Sequence, residues 1–154
     1  MASNALGHVA LMPIKPQFAQ LIMQGKKKAE FRKVRFLKQV SHVVVYASSP
    51  MQKILGYFEV SHIDEGSPVD LWKRYRAMGG IIYQEFQDYY ANATHGVVIG
   101  IGRTYQLKHA IPLAKLDTAM VAPQSFTYIP FESFEKIQEY AYPIRESVSS
   151  YLLD

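Results

Sequence analysis

Short apolar runs and alternating apolar and polar positions divide the chain into predicted strands. The run of three valines at positions 43–45 lies in a continuously apolar stretch, which predicts a strand buried on both faces. Farther along, alternation predicts Ile54 and Phe58 on one face of a strand and Tyr57 on the other. Strand patterns of these kinds cover residues 8–14, 29–32, 40–47, 54–63 and 95–107.

Helical patterns lie between these strands and after the last of them. Pro16 suits the first turn of a helix that Gly25 ends, because glycine readily adopts the conformation that closes a helix. Ser67 is expected to cap a second helix that begins at Pro68. Two more short helices are predicted over residues 82–90 and 132–140.

Strands and helices in this order predict an α+β fold. Gly100 and Gly102 share one face of the long predicted strand, as is typical where a small barrel curves sharply. We therefore expect a small mixed β-barrel with helices inserted between its strands.

Composition narrows the class of protein. Of the 154 residues, 49% are apolar and 19% are charged, which excludes a disordered chain. No cysteine occurs, so disulfides, thiolate metal sites and a cysteine nucleophile are excluded. Because the longest aliphatic run is short and the N-terminal residues lack a signal-peptide pattern, we expect a soluble, cytoplasmic protein without membrane contact.

The common cofactor and metal motifs are absent from the sequence. There is no phosphate-binding P-loop pattern, and the sequence GIG at 100–102 lacks the third glycine of a dinucleotide fingerprint. The five histidines show no paired spacing, and His62 with Asp64 and Glu65 is interpreted as an exposed strand end. We therefore expect neither a cofactor nor a metal.

Positive charge is concentrated in one stretch of the chain. Residues 15–38, here called the basic segment, hold eight basic residues and one acid, Glu30, for a net charge of +7. The whole chain is only +4, so the remainder is −3. A basic segment on a mildly acidic body favours a surface that faces a polyanion, although a solvated lysine-rich turn gives the same pattern.

The basic segment contains the pattern Gly25-x-Lys27-x-x-Glu30-x-Arg32. In a strand, Glu30 and Arg32 point to the same face. Lys27 joins that face only if the turn after Gly25 or a bulge redirects it. The three side chains would then bind a phosphate or the polar edge of a base; the alternative is an ordinary surface ion network.

This pattern, entered by a helix after Lys15 and Pro16, resembles the ASCH domain of the PUA-like superfamily. The resemblance covers most of the chain in the same order, with VVVYASSP at 43–50, GYFEV at 56–60, GVVIGIG at 96–102 and PQSFTY at 123–128. It implies an ASCH domain over residues 5–130. Residues 131–154 are expected to form a C-terminal extension that packs on the domain or trails it.

The resemblance also implies a cleft beside the motif, in which family members bind RNA or nucleotides and some hydrolyse them. Lys27, Glu30 and Arg32 match the polar positions of the motif. The further residues expected at this cleft are Lys15, Tyr46, Ser48, Ser49, Gln124 and Ser125. Tyr46 would stack on a base, or else it belongs to the core.

Three functions remain open at this point. The first is a module that binds RNA or a nucleotide. The second is a hydrolase of RNA or of a modified nucleoside, with Lys27 and Glu30 as an acid–base pair. The third is a protein-interaction module that uses the aromatic C-terminal third of the chain.

One group of relatives removes the acetyl group from acetylcytidine, and this chain departs from their pattern. Those amidohydrolases use a lysine, a threonine three residues later, and a glutamate just before the middle helix. Lys27 keeps the lysine, but Glu30 stands at the threonine position and the glutamate position falls near Gly79 and Gly80. We therefore predict that this chain does not deacetylate acetylcytidine.

Overall fold

A computed structural model describes residues 7–143 of the chain. Its first helix begins at Pro16 and is closed by Gly25, whose φ of +77° lies in the left-handed region that glycine adopts readily. The second helix begins as the sequence predicts, because the backbone N–H of Asp70 donates to the Ser67 hydroxyl at 3.2 Å. In chain order the elements are β1 (His8–Ile14), α1 (Pro16–Met23), β2 (Ala29–Arg32), β3 (Val40–Ala47), β4 (Lys53–Gly66), α2 (Pro68–Tyr75), α3 (Tyr83–Tyr89), β5 (Gly96–Ile111), β6 (Thr127–Ile129) and α4 (Phe131–Glu139), with a short 3₁₀ helix at Leu113–Lys115.

The six strands form one sheet in the order β2-β5-β4-β3-β1-β6. Only β1 and β3 run parallel, with α1 and β2 in the connection between them; the other pairs are antiparallel. Strand β3 is central, and its side chains alternate between two clusters of buried residues: Val43 and Val45 pack on one side, and Val44 packs on the other. The predicted burial of β3 on both faces is therefore confirmed.

One predicted strand face is wrong because β4 contains a bulge. The pairing of β4 with β5 changes register between Ile54 and Gly56, so alternation does not hold across this point. As a result, Ile54 lies in the same buried cluster as Tyr57, while Phe58 lies in the cluster on the other side of the sheet.

The α+β class is confirmed, but the closed barrel is not. Strand β2 has four residues and pairs with β5, and β6 has three residues and pairs with β1. Within residues 7–143 no backbone ladder joins β2 to β6, so the sheet stays open between these two edges. Closure of a barrel would need backbone pairing between these two edges, which residues 7–143 do not show.

Helix α4, the first part of the expected C-terminal extension, packs against the sheet. Its Phe134 and Ile137 are fully buried in the cluster that also contains Tyr57. The rest of the expected extension, residues 144–154, lies outside the described residues, as do residues 5 and 6 of the expected domain. No helix between residues 7 and 143 is long and apolar enough to cross a membrane.

Candidate ligand-binding site

A cavity of about 580 Å³ opens beside the motif, between β2, the start of α1 and one face of α3. This volume lies in the range of small-molecule sites in proteins. Its lining residues are Pro13, Ile14, Lys15, Phe18, Lys27, Glu30, Phe31, Arg32, Ser48, Ile81, Glu85, Asp88, Tyr89 and Gln124.

The floor of the cavity is built by two loops that meet across the fold. The turn after α1 carries Lys27 and Lys28, and the loop after α2 carries Met78 and Gly79. The backbone N–H of Lys28 donates to the Met78 carbonyl at 2.8 Å, and Lys27 Nζ donates to the Gly79 carbonyl at 2.5 Å. The turn thus redirects Lys27 toward the cavity, as the motif required.

Three charged side chains form a line along this floor. Lys27 Nζ lies 3.6 Å from Glu30 Oε1, and Arg32 donates to Glu30 Oε2 at 3.1 Å. The side chains of Lys27 and Glu30 are only 2% and 7% exposed, and that of Arg32 is 14% exposed. The carboxylate of Glu30 therefore compensates two cations at once in a nearly dry environment.

Burial is the main influence on the pKa of Lys27. Removal of its ammonium from water lowers the pKa of Lys27 below the usual value of 10.5, and the positive charge of Arg32 lowers it further, whereas Glu30 and Glu85 act in the opposite direction. Its Nζ also lies 5.0 Å from the centre of the Phe18 ring and 5.4 Å from that of Phe31. The two rings thus lie close to the amine of a side chain that is only 2% exposed.

Gly80 is required where it passes over Lys27. Its φ of +60° is left-handed, and a Cβ added there would lie 3.0 Å from the Cβ of Lys27. The glycine thus allows the loop to lie directly on the lysine stem. This close approach is the structural reason for a glycine in the loop between α2 and α3.

Arg32 spans the opening between the two edges of the sheet. From β2, its guanidinium donates to the backbone carbonyl of Ser125 at 3.2 Å and to that of Pro13 at 3.4 Å. Ser125 precedes β6, and Pro13 lies in β1. Side-chain hydrogen bonds thus connect strands that share no backbone ladder.

The cavity as a whole carries no excess charge. Its three cations, Lys15, Lys27 and Arg32, are matched by three acids, of which Glu85 and Asp88 come from α3. Much of the positive charge of the basic segment lies outside it, because Lys26, Lys28, Lys33, Arg35 and Lys38 are exposed. The lining of the cavity is therefore neutral overall, while the surface around it is basic. A site for free polyphosphate would instead place most of its cations in contact with the ligand.

The structure brings most of the predicted site residues together. Lys27, Glu30 and Arg32 lie on the cavity floor, and Lys15, Ser48 and Gln124 complete its wall. Ser125 contributes its backbone carbonyl, which accepts from Arg32, and Ser49 is an exposed residue of the turn after β3 that does not line the cavity.

Tyr46 also does not line the cavity, and it lies on the other side of the sheet. It is only 6% exposed and packs with Leu11, Val44 and Ile54 on the side of the sheet covered by α4. Since alternate residues of a strand point to opposite faces, Tyr46 points away from the motif. Its alternative assignment to the core is the correct one.

Sequence reasoning missed the contribution of helix α3. Glu85, Asp88 and Tyr89 line the cavity although they follow the motif by more than fifty residues. The spacing of Phe86 and Tyr89 indicates a helix but not what the helix packs against. In the described part of the chain, no group of three or more histidine, aspartate and glutamate side chains is placed to hold a metal ion.

Comparisons with known proteins give the family context. The chain is 29% identical over 132 residues to an ASCH domain-containing ribonuclease of Zymomonas mobilis subsp. mobilis, which covers 83% of this chain and 88% of that protein. It superimposes on the crystal structure of ASCH from Zymomonas mobilis with a TM-score of 0.79 and 24% identity, covering 88% and 96% of the two chains. The N-terminal domain of Staphylothermus marinus McrB shares the fold more distantly, with a TM-score of 0.55 and 11% identity over 85% and 93% of the two chains. No family model matches the chain.

Proposed function

This chain carries an ASCH domain, and we propose that it binds single-stranded RNA, with one nucleotide in the cavity beside the Gly25-x-Lys27-x-x-Glu30-x-Arg32 motif. The observation that carries the proposal is the buried line of Lys27, Glu30 and Arg32 on the cavity floor. Burial of a charged group costs several kcal/mol per ion, which is comparable to the total free energy of unfolding of many proteins. Perturbed, buried charges in a cavity are typical of functional sites.

The charges favour a base in the cavity and phosphates outside it. Because cations and acids balance among the lining residues, the cavity offers donors and acceptors rather than a net positive field. Such a site suits the polar edge of a nucleobase, which also carries hydrogen-bond donors and acceptors. The phosphates on either side would meet exposed cations at the rim, Lys15 and Lys33.

Tyr89 is the aromatic residue placed to stack on the base. It lines the cavity and is partly exposed, and Lys33 Nζ lies 4.7 Å from the centre of its ring. Stacking on an aromatic face is the common way in which proteins hold an unpaired base. Tyr89, rather than Tyr46, is thus the residue that we propose stacks on the base.

The experiment is a titration of labelled single-stranded RNA, followed by fluorescence anisotropy. If two or three phosphates are neutralised, affinity should fall by roughly tenfold between about 50 and 200 mM salt. Tyr89→Phe keeps the ring and should keep the affinity, whereas Tyr89→Leu should lose most of it. No binding at low salt contradicts the proposal for RNA and leaves a free nucleoside as the ligand.

A second candidate function is hydrolysis of RNA, and a specific observation favours it. The depressed pKa of Lys27 increases the fraction of neutral amine, which is the form that can accept a proton, and Glu30 lies 3.6 Å away. The similar protein of Zymomonas mobilis is named a ribonuclease.

The test of hydrolysis compares two lysines of the same turn. Lys27 is buried at the cavity, and Lys28 is exposed. RNA cleavage, followed on a gel in the presence of a chelator, should be lost in Lys27→Met and kept in Lys28→Met. Cleavage that survives in Lys27→Met would come from a contaminant or from another site, and would contradict this second function.

The third function considered from the sequence, a protein-interaction surface on the aromatic C-terminal third, is not favoured. Phe134 and Ile129 are buried in the core, and Phe126 packs edge-on against Phe36 at 4.8 Å. Packing inside the fold thus accounts for these three side chains, whereas Phe131 and Tyr142 of the same segment are 51% and 44% exposed.

A further inference from the structure

We propose that the groove between α2 and α3 is a second binding site for single-stranded nucleic acid, in which a base stacks on Trp72 and phosphates bind Lys73 and Arg76. The groove has a volume of about 470 Å³ and shares no lining residue with the cavity beside the motif. The inference rests on the proposed function for the class of ligand, but not for the site itself.

The walls of the groove are aromatic and partly open to water. The ring of Trp72 lies 4.9 Å from that of Phe86 and 5.0 Å from that of Tyr83. Phe86 and Tyr90 are buried beneath, whereas Tyr83 is 51% exposed. An indole backed by a buried ring and flanked by an exposed phenol is a ready platform for a flat base.

The charges at the groove have one sign. Lys73 and Arg76 line it, are exposed and form no ion pair with another residue in the range 7–143, and no acid lines the groove. Since they stand three residues apart at the end of α2, they lie on the same side of it. Arg74, between them in sequence, is instead paired with Asp64. Two free cations beside an aromatic platform complement a polyanion that carries stacking bases.

The position of α3 connects the groove with the cavity. Helix α3 turns Glu85 and Tyr89 toward the cavity and Tyr83 and Gln87 toward the groove. A strand of RNA that crosses this single helix therefore reaches both sites.

Trp72 is the only tryptophan of the chain, so its fluorescence reports on the groove directly. Titration of the whole protein with an unlabelled single-stranded RNA of about a dozen nucleotides should quench this fluorescence in a saturable manner that salt reverses. A parallel anisotropy titration with labelled RNA measures total binding. The double variant Lys73→Ala with Arg76→Ala should weaken total binding at least fivefold and reduce the salt slope by about 1.4, the value for two phosphates of a single strand.

Lys136→Ala provides the matched control, because Lys136 is an exposed lysine on α4, far from the groove in sequence and absent from its lining. It should change binding by less than twofold. Arg32→Ala distinguishes the two sites, since weaker total binding in this variant with Trp72 still quenched separates the cavity from the groove. A loss confined to the double variant would instead support the groove and contradict the cavity.

Two results would overturn the inference. In the first, the anisotropy titration with RNA reaches saturation, the fluorescence of Trp72 stays constant, and the double variant binds RNA as tightly as wild type. The other is quenching by a glutamate-rich peptide but not by RNA, which would assign the groove to a protein partner.

Discussion

The guanidinium of Arg32 and the backbone carbonyl of Ser125 are joined by a hydrogen bond of 3.2 Å across the open side of the sheet. The same guanidinium holds Glu30 and the carbonyl of Pro13. One side chain thus fixes both the carboxylate on the cavity floor and the distance between the two edges. Lysine has the charge of arginine but not its planar set of five donors.

Replacement of Arg32 should therefore weaken binding more than replacement of exposed lysines of the same segment. We expect Arg32→Ala to lose about tenfold in RNA affinity, equivalent to about 1.4 kcal/mol, and Arg32→Lys to recover only part of it. Lys26→Ala and Lys28→Ala should each change affinity by less than twofold, since both side chains are exposed. Affinity is measured by anisotropy. Equal losses at all these positions would mean that the basic segment acts only through its total charge.

Two glycines with positive φ offer a test of how closely the loop must lie on Lys27. Gly80→Ala places a Cβ 3.0 Å from the Cβ of Lys27, whereas a Cβ at Gly25 meets no atom within 4 Å. Both substitutions strain the backbone, so each should lower the free energy of unfolding by about 1–2 kcal/mol. Only Gly80→Ala should also weaken ligand binding. If Gly25→Ala impairs binding as strongly, the effect belongs to the turn and not to the contact with Lys27.

The depressed pKa of Lys27 has a consequence for stability with a definite sign. Between its lowered folded pKa and the unfolded value near 10.5, the unfolded chain binds more protons at this residue than the folded chain. The contribution of Lys27 to the free energy of unfolding therefore increases as pH rises through that window. Denaturant unfolding of wild type and Lys27→Met should show a difference that shifts in favour of wild type from neutral pH toward pH ~10. A difference independent of pH would mean that Lys27 is equally protonated in both states.

The departure from the amidohydrolase pattern predicts the absence of one activity. Glu30, which stands in place of the threonine, is held by Lys27 and Arg32 and has no hydroxyl group. Incubation of the protein with acetylcytidine, followed by chromatography, should give no cytidine above background. Turnover that disappears in Lys27→Ala would contradict this prediction and would favour an enzyme over a binding module.

Local signals in the sequence predict most of the fold. The Ser67 cap and the helix between Pro16 and Gly25 depend on neighbouring residues, so they are readable without the tertiary structure. The face of Ile54 is not readable in this way, because a bulge shifts the register of its strand. The barrel is not confirmed for a related reason, since closure depends on pairing between edges that are distant in sequence.

The same distinction applies to the candidate site. Spacing alone places Glu30 and Arg32 on one face of β2. It does not place Tyr89 at the cavity, because the packing of α3 against β2 depends on contacts such as that between Phe31 and Phe86, whose rings lie 5.0 Å apart. The resemblance and a position near a strand end predict Tyr46 at the cavity, whereas strand alternation turns its side chain to the other face of the sheet.

The contact between Lys27 and Gly79 joins residues 52 positions apart in the chain. The cavity floor therefore exists only when the two loops have met, and the unfolded chain offers a ligand no equivalent surface. Any compound that occupies the cavity must then raise the melting temperature, by an amount that grows with its concentration relative to its dissociation constant. A collection of nucleosides and nucleotides can thus be ranked by thermal shift alone, without labels and before any reaction has been identified.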